Sequence, residues 1–154
     1  MLANLMFSIL NYAAKKGVME AHVEAASKHA ARQTGVKGET YAYWYLRRQG
    51  YTLVARNYTV TGIKGEIDIV AYDGPVLVFV EVKTRSATGP LQARPEEAVN
   101  HDKRRNLSRM ARQFLRSRRI ESATCRFDVL AIETHPGQKP TVRLHKDAFG
   151  MGAE

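Results

Sequence analysis

One cysteine, Cys125, stands among 154 residues. A single thiol excludes an intramolecular disulfide framework and a multi-cysteine zinc site. It falls in a strand-like run, where a small buried core residue is expected. No apolar run reaches the ~18 residues of a membrane-crossing helix. The N-terminus lacks the basic-then-apolar order of a secretory signal, so a cytoplasmic protein is expected. Acids are scarce: 15 against 24 Lys and Arg, a net charge of +9 at neutral pH. That imbalance suits polyanionic partners, nucleic acid first and an acidic membrane surface second. There is no internal repeat and no low-complexity segment. The length suits one domain able to bury about two-thirds of its unfolded surface.

Against these absences stands one dense stretch, Gly65 to Arg85. Two β-patterned runs, Glu66–Tyr72 and Val76–Lys83, flank the turn signal Asp73-Gly74-Pro75. Val76 to Val80 is apolar at every position, which predicts burial on both faces. Charges interrupt the runs at Glu66, Asp68, Glu81 and Lys83. Buried charges are costly unless paired or bound to metal, so this conflict marks a functional place. By period-two geometry Glu66 shares a face with Asp68, and Glu81 with Lys83. A tight hairpin centred on Asp73-Gly74 puts Asp68 opposite Phe79 and Glu66 opposite Glu81. Asp68 and Glu81 are then diagonal neighbours, roughly 7 Å apart at the backbone. Carboxylates at that spacing can hold a hard divalent cation, with a lysine beside them to position water or stabilise phosphate charge. A solvated strand face is the alternative reading of the same charges.

The remaining elements frame that hairpin. Met1–Leu10 is mildly apolar and open to three readings: amphipathic helix, frayed extension, or leader ahead of Met19. Glu20–Gln33 has helical composition, with His22 and His29 as solvated residues. Thr34–Gly38 predicts a break. A second helix then runs from about Gly38 to Gln49 and stops at Gly50. Glu39 at its start is either a first-turn acid favoured by the helix dipole or a carboxylate aimed into a cleft. Tyr51–Asn57 reads as a strand and Gly62–Gly65 as a turn. Thr84–Pro90 reads as a polar loop. A helix follows from about Pro95 to Arg119, with Glu96 and Glu97 in its first turn. Leu107, Met110, Ala111, Phe114 and Leu115 form its apolar stripe. Arg105, Arg109, Arg112, Arg116 and Arg119 recur on the opposite face, either as a solvated surface or as a phosphate-contact surface. Thr124–Thr134 is a further strand, in which Asp128 pairs Arg126 or a helix residue. Thr141–His145 is a short edge strand, and Gly150–Glu154 a tail. Strands in sequence followed by a crossover helix predict an α/β domain, a mixed sheet with helices on both faces.

This ordered set resembles the PD-(D/E)xK nuclease superfamily, whose fold is restriction-endonuclease-like. Glu39 on a helix, Asp68 on the second strand and Glu81-Val82-Lys83 on the third carry the match. Gly38-Glu39, Gly50-Tyr51, Arg56-Asn57, Gly65-Glu66-Ile67-Asp68, Phe79 to Arg85, Arg126-Phe127-Asp128 and Ala148-Phe149 are similar to the bacterial YraN-like family. That family is largely uncharacterised and is held to contain endonucleases similar to archaeal Holliday junction resolvases. The resemblance covers roughly Gly35 to Phe149, a nuclease-like domain over 35–149. It leaves 1–34 as an N-terminal helical extension and 150–154 as a tail.

The resemblance implies metal-assisted phosphodiester hydrolysis. Asp68, Glu81 and the Val82 carbonyl would bind Mg²⁺ or Mn²⁺, with Glu39 completing the site directly or through water. Lys83 would orient the attacking water, and Glu66 would support the ligands. Arg85 and the basic helix, with Lys103, Arg105, Arg109, Arg112 and Arg116, would hold DNA backbone. Branched DNA and a homodimer follow by analogy alone. Two rivals use the same residues: a non-catalytic nucleic-acid-binding module on this fold, and a basic adaptor anchored through the segment before Gly17.

Overall fold

The computed structural model describes residues 1–15, 28–87 and 99–152, with the side chains of 28–36 left aside. Its elements are α1 (Leu2–Lys15), α2 (Lys28–Arg48), β1 (Thr52–Tyr58), β2 (Ile67–Asp73), β3 (Val76–Ser86), α3 (His101–Ser117), β4 (Cys125–Thr134) and β5 (Thr141–Phe149). One five-stranded sheet takes the order β1-β2-β3-β4-β5. The sheet is mixed. β1, β2 and β3 pair antiparallel, whereas β3 and β4 run parallel. The parallel pair is seen in the donation from Leu77 N–H to Thr124 O and, further along both strands, from Ala87 N–H to Thr134 O. With the three helices of the described residues this is the expected α/β layered, restriction-endonuclease-like arrangement. Among the described residues no helix is long and apolar enough to cross a membrane.

Two compact units divide the chain. The first holds α1, α2, the end of β3, the end of β4 and the start of β5. Here α1 packs on α2 through Phe7, whose ring lies 5.1 Å from Tyr41 and 5.8 Å from Tyr45. Burial pushes the Tyr41 hydroxyl up to about 12, and it donates to Asn11 Oδ1. The expected break at Thr34–Gly38 is absent, since α2 runs through it. Glu39 therefore lies well inside a helix and has no first-turn dipole role. Gly38 serves a different purpose. A Cβ there would stand 1.9 Å from Thr84 Oγ1, so the glycine permits close approach of helix to strand.

The second unit holds β1, β2, most of β3, α3, the start of β4 and the end of β5. Its core joins Val70, Leu77, Phe79, Phe127 and Phe149 to the apolar stripe of α3: Leu107, Met110, Ala111 and Phe114. Phe79 meets Phe114 edge-on at 5.9 Å, and Phe127 stacks on Phe149 at 4.7 Å. Aromatic pairs of this kind add about 0.5–1.5 kcal/mol each beyond buried area. Asn100 caps α3, its side chain accepting from Lys103 N–H at 2.9 Å. The helix start expected near Pro95, with Glu96 and Glu97, lies outside the described residues, as do His22 and the tail end at 153–154. Thr84 to Ser86 continue β3 rather than forming a loop, and β5 extends to Phe149 as an edge strand. Cys125 is half-buried rather than fully buried.

Candidate functional site

The central hairpin has a different register from the expected one. Val70 pairs with Phe79, Tyr72 with Leu77 and Asp73 with Val76. The turn is therefore Gly74-Pro75, not Asp73-Gly74. Gly74 has φ 58°, the sign that a glycine-first hairpin turn requires. Pro75, which has no N–H to give a ladder, takes a turn position. Each partner moves by two residues, so no side chain changes face. One step beyond the Ile69–Val80 pair, Asp68 comes opposite Glu81 instead of diagonal to it.

Both carboxylates are buried: Asp68 is 8% exposed and Glu81 3%. By strand alternation Glu81 lies on the face of β3 that carries Leu77 and Phe79 toward α3. From that helix the Lys103 ammonium pairs with Glu81 Oε1. The Asn100 cap fixes the first turn of α3 and so sets where Lys103 starts. Glu39, Glu66 and Asp68 form a carboxylate cluster, one ligand oxygen from each lying within 4.8 Å of the others. Three carboxylates are hard donors of the kind Mg²⁺ or Mn²⁺ takes. Two oxygens on opposite sides of Mg²⁺ stand about 4.2 Å apart, so the cluster is close to the size such an ion needs.

Lys83 follows Glu81 on the same face of β3 and is half-buried, as is Val82 between them. Arg85 donates through Nε and Nη2 to Glu133 Oε2 at 2.9 and 2.6 Å. Its guanidinium is engaged in an ion pair, where the sequence suggested a backbone contact for DNA. Lys103, expected on the same contact surface, is turned to Glu81.

The arginines read as the basic face of α3 differ in exposure. Arg105, Arg109 and Arg116 are exposed, and Arg112 is half-buried with Nη2 on Gly152 O. Arg119 lies past the helix end. Arg104 and Arg112, with Arg105, Arg109, His101 and Ser108, line a cavity of about 690 Å³ together with Phe149, Gly150 and Gly152. No ion pair with a described residue engages Arg105, Arg109 or Arg116.

Asp128 belongs to a separate network. It is fully buried, accepts from Arg126 Nε at 2.9 Å and from the Asp147 N–H at 2.9 Å. Arg126 also reaches Asp73 at 2.6 Å, and Lys146 meets the same carboxylate at 2.8 Å. These donors hold the Asp73 carboxyl down at about 2. The guanidinium of Arg126 is correspondingly raised by Asp128. The network ties the hairpin turn to β4 and β5 and explains a buried acid without catalysis.

A sequence profile described as "Uncharacterised protein family UPF0102" matches residues 38–132. The chain belongs to the UPF0102 family. It is 44% identical over 119 residues to a UPF0102 protein of Symbiobacterium thermophilum, covering 77% of this chain and 98% of that one. A UPF0102 protein of Koribacter versatilis is 40% identical over 122 residues, covering 79% and 82%. A third, from Solibacter usitatus, is 47% identical over 97 residues, covering 62% and 70%. The UPF0102 match begins at Gly38, spans the carboxylate cluster, Glu81-Val82-Lys83 and α3, and ends inside β4. The helix α1 precedes it. One contact in this UPF0102 chain escapes sequence reasoning: Lys103 on Glu81, for which the only signal is the Asn100–Lys103 cap spacing. Glu66, expected to support the ligands, brings an oxygen within 4.8 Å of those of Glu39 and Asp68.

Proposed function

We propose that this UPF0102 protein is a metal-dependent DNA endonuclease of the PD-(D/E)xK type. The observation that carries the reading is the cluster of Glu39, Glu66 and Asp68 oxygens within 4.8 Å, beside a strand that supplies Glu81 and Lys83. Asp68 and Glu39 would hold Mg²⁺ or Mn²⁺, with Glu66 close enough to join them, and with Glu81 and the Val82 carbonyl available from β3. The ion, when bound, supplies a polarised phosphate and a water of lowered pKa. The chain's own groups do the rest. Lys83, an ammonium on the Glu81 face, orients the attacking water and offsets negative charge on the phosphate as the bond breaks. Lys103 holds the buried Glu81 carboxylate in place. Arg105, Arg109, Arg112 and Arg116 bind the DNA backbone and set its register without reading sequence. Arg85 is better assigned to Glu133 than to DNA. Branched DNA as substrate and action as a homodimer complete the reading by analogy.

The Lys103–Glu81 pair favours one alternative. An ammonium already neutralises the acid that a metal would need, as in a nucleic-acid-binding module that has kept the fold without the reaction. Cleavage of labelled single-stranded, duplex, flap and four-way-junction DNA separates the two. Under the enzyme reading, cutting depends on Mg²⁺ or Mn²⁺, stops in EDTA, and is lost in Glu81→Ala and Lys83→Ala while binding persists. Binding without cutting on every substrate and metal supports the module.

A further inference from the structure

Helix α1 is apolar on two sides. Phe7 and Ala14 are buried against α2. On the opposite side Leu2, Leu5, Ile9 and Tyr12 recur at helical spacing and are 62%, 59%, 50% and 65% exposed. Together with Met1 they are five of the six large apolar residues left exposed among the described residues, the sixth being Val54. Scattered exposed apolar residues are ordinary, whereas a contiguous row marks a binding surface.

The surroundings of the row select its partner. No charge falls in α1 before Lys15, and the first acid of the chain is Glu20. Lys15 closes the last turn of α1, and the last turn of the packed helix α2 adds Arg47 and Arg48; all three are exposed. Arg48 lies over the Phe7 ring at 4.9 Å, on the α2 side of α1. Pairing with α1 of a second copy would bring no acid to these cations. A bilayer surface carrying anionic headgroups supplies both an apolar layer for the row and negative charge for its border. Helix α1 has 14 residues, about 21 Å at 1.5 Å per residue, too short to cross a bilayer and long enough to lie in its surface. Tyr12 suits the headgroup level, with an apolar ring and a polar tip.

We propose that α1 docks this protein on an anionic lipid surface, burying Leu2, Leu5 and Ile9 among acyl chains, with Tyr12 at the headgroup level and the exposed cations Lys15 and Arg47 drawn to the headgroups. This surface is independent of the nuclease reading, because none of its residues belongs to the carboxylate cluster or to α3.

The test is co-sedimentation of the full chain with vesicles of phosphatidylcholine, with and without phosphatidylglycerol, free of DNA and divalent metal. Binding is expected to the phosphatidylglycerol vesicles and to weaken with salt. Leu5→Glu with Ile9→Glu changes two exposed side chains and should lower the partition coefficient by about a hundredfold or more, each position carrying at least about tenfold. Lys15→Glu with Arg47→Glu keeps the apolar row and should remove the preference for phosphatidylglycerol. Absence of vesicle binding, or equal binding by Leu5→Glu/Ile9→Glu, overturns the proposal. A dimer that Leu5→Glu/Ile9→Glu dissolves, without vesicle binding, also overturns it and identifies a second copy as the occupant.

Discussion

The Lys103 ammonium, at the start of α3, lies on Oε1 of Glu81, a buried carboxylate of β3. A metal ion held by Glu39, Glu66 and Asp68 would offer Glu81 a second source of positive charge. Lys103→Met is therefore expected to lower the melting temperature, by the ~1–3 kcal/mol of a buried group that loses its partner. Added Mn²⁺ is expected to restore part of that loss in the variant by more than it raises the wild type. Thermal unfolding with and without Mn²⁺ measures both; an unrecovered loss separates Glu81 from the metal.

Gly38→Ala is expected to destabilise the protein. Alanine gains about 1 kcal/mol in helix propensity over glycine. Here the new Cβ meets Thr84 Oγ1 at 1.9 Å, and forced overpacking costs about 1–3 kcal/mol. Thr84→Ala in the same chain should recover most of the loss. A higher melting temperature for Gly38→Ala alone would show that α2 does not approach β3 this closely.

Acid should weaken the fold through Asp73. Arg126 and Lys146 hold its carboxyl at about 2, against an ordinary value of 3.8. A depressed folded-state pKa means the stabilisation is fully present above about pH 4 and is lost as pH falls toward 2. Urea unfolding between those limits should show a steeper loss for wild type than for Asp73→Asn. Equal slopes would remove Asp73 from the cause.

Arg109→Ala and Arg116→Ala are expected to weaken DNA binding without a change in melting temperature, since both side chains are exposed. Each lost phosphate contact should reduce the slope of log affinity against log salt by about 0.9 on duplex DNA. Unchanged slopes would make the arginine face a solvated surface.

Much of this arrangement is legible in the sequence. The strand pair around Asp73-Gly74-Pro75 and the two faces of α3 follow from period-two and helical spacing, which depend only on local order. The exact pairing did not follow, because Asp73-Gly74 and Gly74-Pro75 both make acceptable two-residue turns. Gly35 and Gly38 read as a helix break because propensity is local, while the close approach of Thr84 is not. For the same reason the Arg85–Glu133 pair is not legible in the sequence: Glu133 lies 48 residues away. The gathering of Glu39 with Glu66 and Asp68 depends on tertiary packing, and only the family resemblance anticipated Glu39 there.

Glu39, Glu66 and Asp68 are expected to share one divalent cation. Cleavage depends on choosing the right substrate, whereas metal binding does not, so Mn²⁺ titration followed by electron paramagnetic resonance tests it most directly. Wild-type protein is expected to take up Mn²⁺ in competition with Mg²⁺, and Asp68→Asn to weaken uptake at least about tenfold, roughly the effect of removing one charged ligand worth 1.4 kcal/mol or more. Failure of the wild-type chain to bind Mn²⁺, or equal binding by Asp68→Asn, would contradict it.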